Sequence, residues 1–363
     1  MPTRTHVPFD LFAMQTEVAT SSLVRAGEFG WTCGQCPLDH EGKVLAPGDT
    51  MAQAAFVCDM IDAVLPRAGF GGQSIGKLNV YYVEDRNDTA EALAALFRKR
   101  FGDGPLIVPV ELPHFYYDGM MIEVDVFAGP APASRPVDPT PGIELAAVES
   151  GDLVWVSVSA RPEAEHGLEN ALEKIVSALE ANGFGPDHLL SDHWFLAGEG
   201  HARKALKGCP FVTMPGAAIR RAGRKHTELT GELTFSRRRV TLINASDAST
   251  GVSTVSRAAG PLLWSVATVP DPKRDLVAQT RPAMLELQAV LVASGMSFAD
   301  VTKLTTHYTG SASSDDLHGN MEVRHCFYGN PGPASTGVPV SGLLDDRCRL
   351  SIDIYADRID LVD

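Results

Sequence analysis

Residues 50–70 read TMAQAAFVCDMIDAVLPRAGF and residues 75–85 read IGKLNVYYVED. The first stretch predicts a helix ending at Gly69; in the second, apolar and polar residues alternate as in a half-buried strand. The same pairing returns twice, as GLENALEKIVSALEANGF (167–184) before LLSDHWFLAG (189–198) and as VAQTRPAMLELQAVLVASGM (277–296) before VTKLTTHYTG (301–310). Ahead of each helix lies a strand carrying one Trp: FGWTCGQ (29–35), LVWVSVSA (153–160) and LLWSVAT (262–268), with Trp31, Trp155 and Trp264. Counting twelve residues on from Gly69, Gly183 and Gly295 lands on Tyr81, Phe195 and His307. In the middle copy Leu168, Leu172, Ile175, Val176 and Leu179 form one apolar stripe, and Gly183 sits where a left-handed helix stop belongs.

A later strand closes each copy: GMMIEVDVFAG (119–129), GELTFSRRRVTLI (231–243) and RCRLSIDIYAD (347–357). Each unit is then a sheet with one helix packed on one side, which leaves an apolar sheet face in need of cover. Three such sheets can cover one another around a pseudo-threefold axis. The expected fold class is α/β (α+β), with units at 1–129, 143–243 and 258–363. The stretches AGPAPASRPVDPTPG (128–142) and NASDASTGVSTVSRAAG (244–260) join them.

Composition bounds the function. The chain has 363 residues, 44% of them hydrophobic and 21% charged, enough to bury a real core. A net charge of −14 repels phosphate backbones and argues against nucleic-acid binding and RNA cleavage. The basic stretches IRRAGRKH (219–226) and SRRR (236–239) lack interleaved aromatics and read as solvated loops. No apolar run approaches the roughly 20 residues of a membrane span, so no membrane partner is expected. The start of the chain lacks the apolar core and cleavage site of a signal peptide. Six scattered cysteines suit free thiols in a reducing compartment, and a cytoplasmic location is expected.

The order GWTCGQ (30–35), PGD (47–49), Gln53, AGF (68–70), KLNVYYVED (77–85) and MIEVDV (121–126) resembles the Rid family, also called YjgF/YER057c/UK114. The resemblance spans residues 23–129, is weaker over 258–358 and weakest over 145–240. It implies a chorismate-mutase-like fold that other members build as homotrimers, with ligand clefts between subunits. Three units in one chain then imply a covalently fused trimer, monomeric or further self-associated. The implied chemistry is hydrolysis of enamines and imines, such as 2-aminoacrylate, to keto acids and ammonia. Chorismatases, a related branch with the trimer fused into one chain, hydrolyse the enolpyruvyl ether of chorismate. Both imply a small-molecule carboxylate substrate and neither implies a metal or organic cofactor.

One departure is pronounced. Deaminating members carry Pro-Ala-Arg before the last strand, where the Arg holds the substrate carboxylate. The first unit has GPLIVPVELPHFYYDG (104–119) at that place, with no Arg. The third reads PGPASTG (331–337), so Ser335 stands where the Arg belongs. The second has no clear counterpart, though Arg220 and Arg221 lie in the region.

The resemblance nominates Cys33, Gln35, His114, Tyr116, Tyr117 and Glu123 as cleft residues. Glu123 matches the closing-strand Glu that positions water, and a buried carboxylate can serve as general base; its bland alternative is a salt-bridged strand residue. His114 is a candidate acid, set against simple aromatic packing with Tyr116 and Tyr117. Arg324 is a replacement carboxylate clamp, set against a surface ion pair. His325 is a candidate acid or base, Cys326 a candidate nucleophile and His307 a further cleft residue. Of the consecutive Arg324, His325 and Cys326, at most two can share one cleft. Ser351 takes the place of Glu123 in the third unit. Cys33 and Cys36 follow a strand, not a helix N-terminus, and lack a second ligand pair, so neither a redox dithiol nor a zinc site is expected. The spacing of His193 and His201 is not diagnostic. With the family Arg gone, a non-catalytic ligand- or partner-binding protein is the alternative to an enzyme.

Overall fold

A computed structural model describes residues 4–86, 88–160, 167–196, 206, 209–212, 219–221 (backbone only), 229–243 and 251–358. The first sheet contains β1 (Arg4–Pro8), β2 (Ser21–Ala26), β3 (Phe29–Thr32), β4 (Ile75–Tyr82), β5 (Leu106–Glu111) and β6 (Ile122–Ala128). The second contains β7 (Ala133–Arg135), β8 (Ile143–Ser150), β9 (Leu153–Ala160), β10 (Leu189–Leu196), β11 (Ile219–Arg221) and β12 (Leu229–Ser236). The third contains β13 (Thr241–Ile243), β14 (Ser253–Ala259), β15 (Leu262–Thr268), β16 (Val301–Tyr308), β17 (Ala334–Pro339) and β19 (Leu350–Asp357); β18 (Gly342–Leu343) crosses to the edge of the second sheet.

The strand orders are β1-β2-β3-β6-β4-β5, β7-β8-β9-β12-β10-β11 and β13-β14-β15-β19-β16-β17. This is one topology three times, and Trp31, Trp155 and Trp264 fall on its equivalent strands β3, β9 and β15. The expected joining segments are drawn into the sheets: β7 lies within 128–142, and β13, inside the stretch assigned to the second unit, pairs with β14.

Helices α1 (Thr50–Val64), α3 (Gly167–Ala181) and α4 (Leu276–Ala293) are those the repeats predict. Gly69, Gly183 and Gly295 all adopt the left-handed backbone, with φ of 77°, 76° and 68°. Asp49 and Asp275 cap α1 and α4 by accepting from Ala52 and Ala278 backbone N–H groups. The buried Gln53 donates to Gly119 O and accepts from Met121 N, while Gln279 donates to Arg347 O and accepts from Arg349 N. Each Gln thus pins the start of its closing strand.

The expectation of one helix per unit is too simple. The first and third units insert a second helix, α2 (Thr89–Phe101) and α5 (Ser314–His325), before a strand parallel to its predecessor. Only Leu317 and Met321 are buried apolar residues on α5, too sparse a stripe to read from sequence. Among the described residues, no helix is long and apolar enough to cross a membrane.

The sheets meet cyclically: β4 and β5 contact β8, β10 contacts β14 and β15, and β16 and β17 contact β2 and β3. At the first of these seams the Trp155 ring lies against Gly76, where an added Cβ would sit 1.9 Å from a ring carbon. This packing buries both faces of β4, β10 and β16, although alternation marked β4 as only half-buried. Their polar residues are therefore inside, around the pseudo-threefold axis, and must be paired.

Register puts Lys77, Ser191 and Lys303 at equivalent places, and likewise Asp125, Glu232 and Asp353. Lys77 pairs with Glu232, and Lys303 reaches Asp125 at 2.7 Å. Ser191 is too short to serve Asp353. His193 supplies that charge, at 2.6 Å from Glu232 through Nδ1 and 3.1 Å from Asp353 through Nε2. Burial alone lowers the imidazole pKa, but Asp353 and Glu232 outweigh it and push it up to about 9. The unfolded value is near 6.5, so this contribution is full below about pH 6.5 and is lost as pH rises through about 9. Denaturant midpoints are expected to fall between pH 7 and pH 10, and His193→Gln to flatten that decline; an unchanged pH slope in the variant removes the assignment.

Candidate functional site

The seam between the third and first units opens into a cleft. The first unit lines it with Cys33, Gly34, Cys36, Tyr116 and Glu123; the third lines it with Arg324, His325, Ser335 and Gly337. Apolar residues of segment 9–18, with Thr20, Leu317 and Met321, complete it. The cleft holds about 410 Å³ of atom-free space counted to its mouth.

Glu123 projects from β6 and is 2% exposed. Gly34 makes room for it, since a Cβ there would lie 1.7 Å from the carboxylate Oε1. Tyr116 donates to Glu123 Oε2 at 3.3 Å, and the Cys36 thiol lies 3.2 Å from the Tyr116 hydroxyl. Burial, with Asp125 adding to it, pushes the Glu123 carboxyl up to about 8 despite the opposing Lys303. Register places Glu123 opposite Tyr81, Thr230 opposite Phe195 and Ser351 opposite His307. The three copies thus hold one carboxylate at this position.

Arg324 reaches the cleft from the last turn of α5 and is 1% exposed. Its Nε donates to Asn320 Oδ1 at 2.7 Å and its Nη1 to Ser335 Oγ at 2.7 Å. No carboxylate pairs with it among the described residues. The guanidinium therefore rests on Ser335, and Nη2 makes no hydrogen bond among the described residues. It is not the surface ion pair that was the alternative. Burial and the Arg324 charge pull His325 down to about 4, so it enters the cleft as neutral imidazole.

Of the residues nominated from sequence, Cys33, Tyr116, Glu123 and Arg324 come together here, with His325 beside them. Gln35 is buried next to the cleft, donating to Cys33 O at 3.1 Å, and does not line it. The Tyr117 hydroxyl is engaged elsewhere, accepting from Gln15 N at 2.9 Å and lying 3.1 Å from His318 Nε2. His114 is half-buried outside the lining, its Nδ1 3.3 Å from Phe115 O. His307 lies at the axis, near His193 and Phe195. Cys326 is exposed, and its thiol contacts Glu322 O at 3.4 Å: on a helix it turns away from Arg324. His201 and the Arg220 and Arg221 side chains lie outside the described residues.

All six cysteines are free, and burial raises the Cys33 and Cys36 pKa values, which opposes thiolate chemistry. No cluster able to hold a metal occurs among the described residues. Sequence reasoning missed Cys36, Gly34 and the segment 9–18; the apolar FDLFAM (9–14) was the available signal.

Three sheets of one strand order closed into a ring, with a mixed-unit cleft at a seam, define a trimer-type α+β protein fused into one chain. Residues 13–129 match the family described as Endoribonuclease L-PSP. RutC family proteins of Pyrococcus horikoshii and Pyrococcus abyssi are each 31% identical over 109 residues, covering 30% of this chain and 84% of theirs. A chorismatase crystal structure is similar with a TM-score of 0.50 and 12% identity, over 78% of this chain and 93% of that one. That likeness concerns the fold, and it extends across all three units. The chain belongs to the Rid (YjgF/YER057c/UK114) family.

Proposed function

We propose that this protein hydrolyses an imine or enamine of a carboxylated metabolite in the cleft between its first and third units. The observation that carries this reading is the meeting, in one slot, of a buried acid from one unit and a buried, carboxylate-free Arg from another. Arg324 takes the substrate carboxylate through Nη2, which fixes the flat sp² system. At neutral pH Glu123 is largely the carboxylic acid, because its pKa is pushed up to about 8. It protonates the enamine carbon or the imine nitrogen, leaving an iminium ion. Its conjugate base then accepts a proton from water as that water attacks the iminium carbon. The same proton passes to the amine; as ammonia leaves, the carbinolamine hydroxyl gives its proton back to Glu123, which yields the keto acid and restores the carboxylic acid. The hydroxyl of Tyr116 holds Glu123 in place throughout. An enol ether is the second reading, supported by the chorismatase-like architecture: protonation of its terminal carbon and the same addition of water release an alcohol.

Glu123→Gln is expected to lower kcat at least a thousandfold. Its melting temperature should match the parent's below about pH 4.5 and exceed it by a margin that grows up to about pH 8, because the unfolded chain ionises Glu123 near its ordinary value while the fold keeps it protonated until about 8. In the parent, kcat/KM should be flat to about pH 7 and fall tenfold per unit above 8. Retained turnover in the variant excludes Glu123 from the chemistry.

A further inference from the structure

Resting on the cleft assignment above, we infer that segment 9–18 is a specificity wall that selects carboxylates bearing an apolar group over two- and three-carbon acids. Six lining side chains are apolar: Phe9, Phe12, Met14, Val18, Leu317 and Met321. The first four belong to the connection between β1 and β2. That connection has twelve residues (9–20), against seven (136–142) and nine (244–252) for the equivalent connections of the other units. The longest copy thus covers the seam that holds Glu123 and Arg324, where it alters what the site admits.

The segment is built as a fixed wall. Ala13 N donates to Asp39 O at 3.0 Å, and Gln15 N donates to the Tyr117 hydroxyl at 2.9 Å. Ser21 anchors the far end through N to Pro333 O at 3.2 Å and through Oγ to Gly332 O at 2.7 Å. Phe9 and Phe12 lock edge to face, 4.7 Å between centroids. A small acid held by Arg324 leaves this surface facing water. A larger apolar group covers it, and about 60 Å² of apolar surface removed from water is worth roughly tenfold in affinity.

Calorimetric titration with pyruvate and phenylpyruvate tests this on the full chain. Phenylpyruvate should bind at least tenfold more tightly, Phe12→Ala should move that ratio at least threefold toward one, and Arg324→Met should weaken both acids. Val18→Ser, at a half-buried position, gives the same reading of the ratio if Phe12→Ala does not fold. Equal affinity for the two acids, or a ratio indifferent to the wall variants, overturns the wall while the carboxylate site stands. If neither acid binds, or Arg324→Met changes nothing, the cleft assignment falls and the wall with it.

Discussion

Arg324→Met is expected to raise KM at least a hundredfold while leaving the melting temperature unchanged or higher. An Arg that is 1% exposed has given up its hydration, and burial holds its pKa below the usual value. Two neutral acceptors, Asn320 Oδ1 and Ser335 Oγ, return about 1–3 kcal/mol each. No carboxylate among the described residues returns the rest. A cation in that condition costs stability, and replacing it with an apolar side chain of similar length is neutral or favourable. The position is also braced: Asn320 donates to Thr280 Oγ1 at 2.7 Å, and Thr280 donates to Leu276 O at 2.9 Å. Such bracing of an unpaired charge makes sense when the counter-ion arrives with the substrate. Two charge-assisted hydrogen bonds to a carboxylate amount to about 3–6 kcal/mol, hence a hundredfold or more. Arg324→Lys should recover little, because an ammonium cannot bond Asn320 and Ser335 and still present a donor at the position of Nη2. The kinetic split decides: a normal KM with a lowered melting temperature would make Arg324 structural.

Much of this was legible in the residues. Three helix-stop glycines and three Trp strands specify one topology three times, because both depend on local rules of backbone handedness and alternation. Ser351 at the Glu123 position was legible too, since register follows once the closing strands are aligned. The clamp itself was not. Arg324 and Ser335 are eleven residues apart, and only the α5 crossover, whose apolar stripe is too thin to announce a helix, brings Nη1 to Oγ. For the same reason Arg324, His325 and Cys326 could not be sorted; the helix points the first two inward and leaves the thiol exposed. Gln35, Tyr117 and His114 come close without lining the cleft, because neighbouring backbone and side chains claim their polar atoms. Neither Lys77 nor His193 carried a signal, since a polar residue in an alternating strand faces water unless another sheet covers it. Three mutually covering sheets place both at the axis.

The second large effect belongs to that axis: Lys77→Met is expected to destabilise the chain by about 3–5 kcal/mol, the cost of stranding a buried carboxylate. Lys77 is fully buried, contacts the Phe127 ring with Nζ 3.6 Å from its centroid, and pairs with Glu232 across the first and second units. Burial raises the Glu232 pKa by itself, but Lys77 and His193 together hold it well below the usual carboxylate range. Removing Lys77 leaves His193 to serve both Glu232 and Asp353, one charge for two carboxylates. Adding Glu232→Gln should therefore recover most of the loss, since His193 then answers to Asp353 alone. A double-mutant cycle in urea measures this coupling directly. Strictly additive losses would mean that the ring carries no joint energy and that apolar packing alone closes the three sheets. Turnover per folded molecule should persist in Lys77→Met, because the pair lies at the first–second seam while Glu123 and Arg324 face each other's units at the third–first seam. Coupled losses with preserved turnover would separate what holds the fused trimer together from what its cleft does.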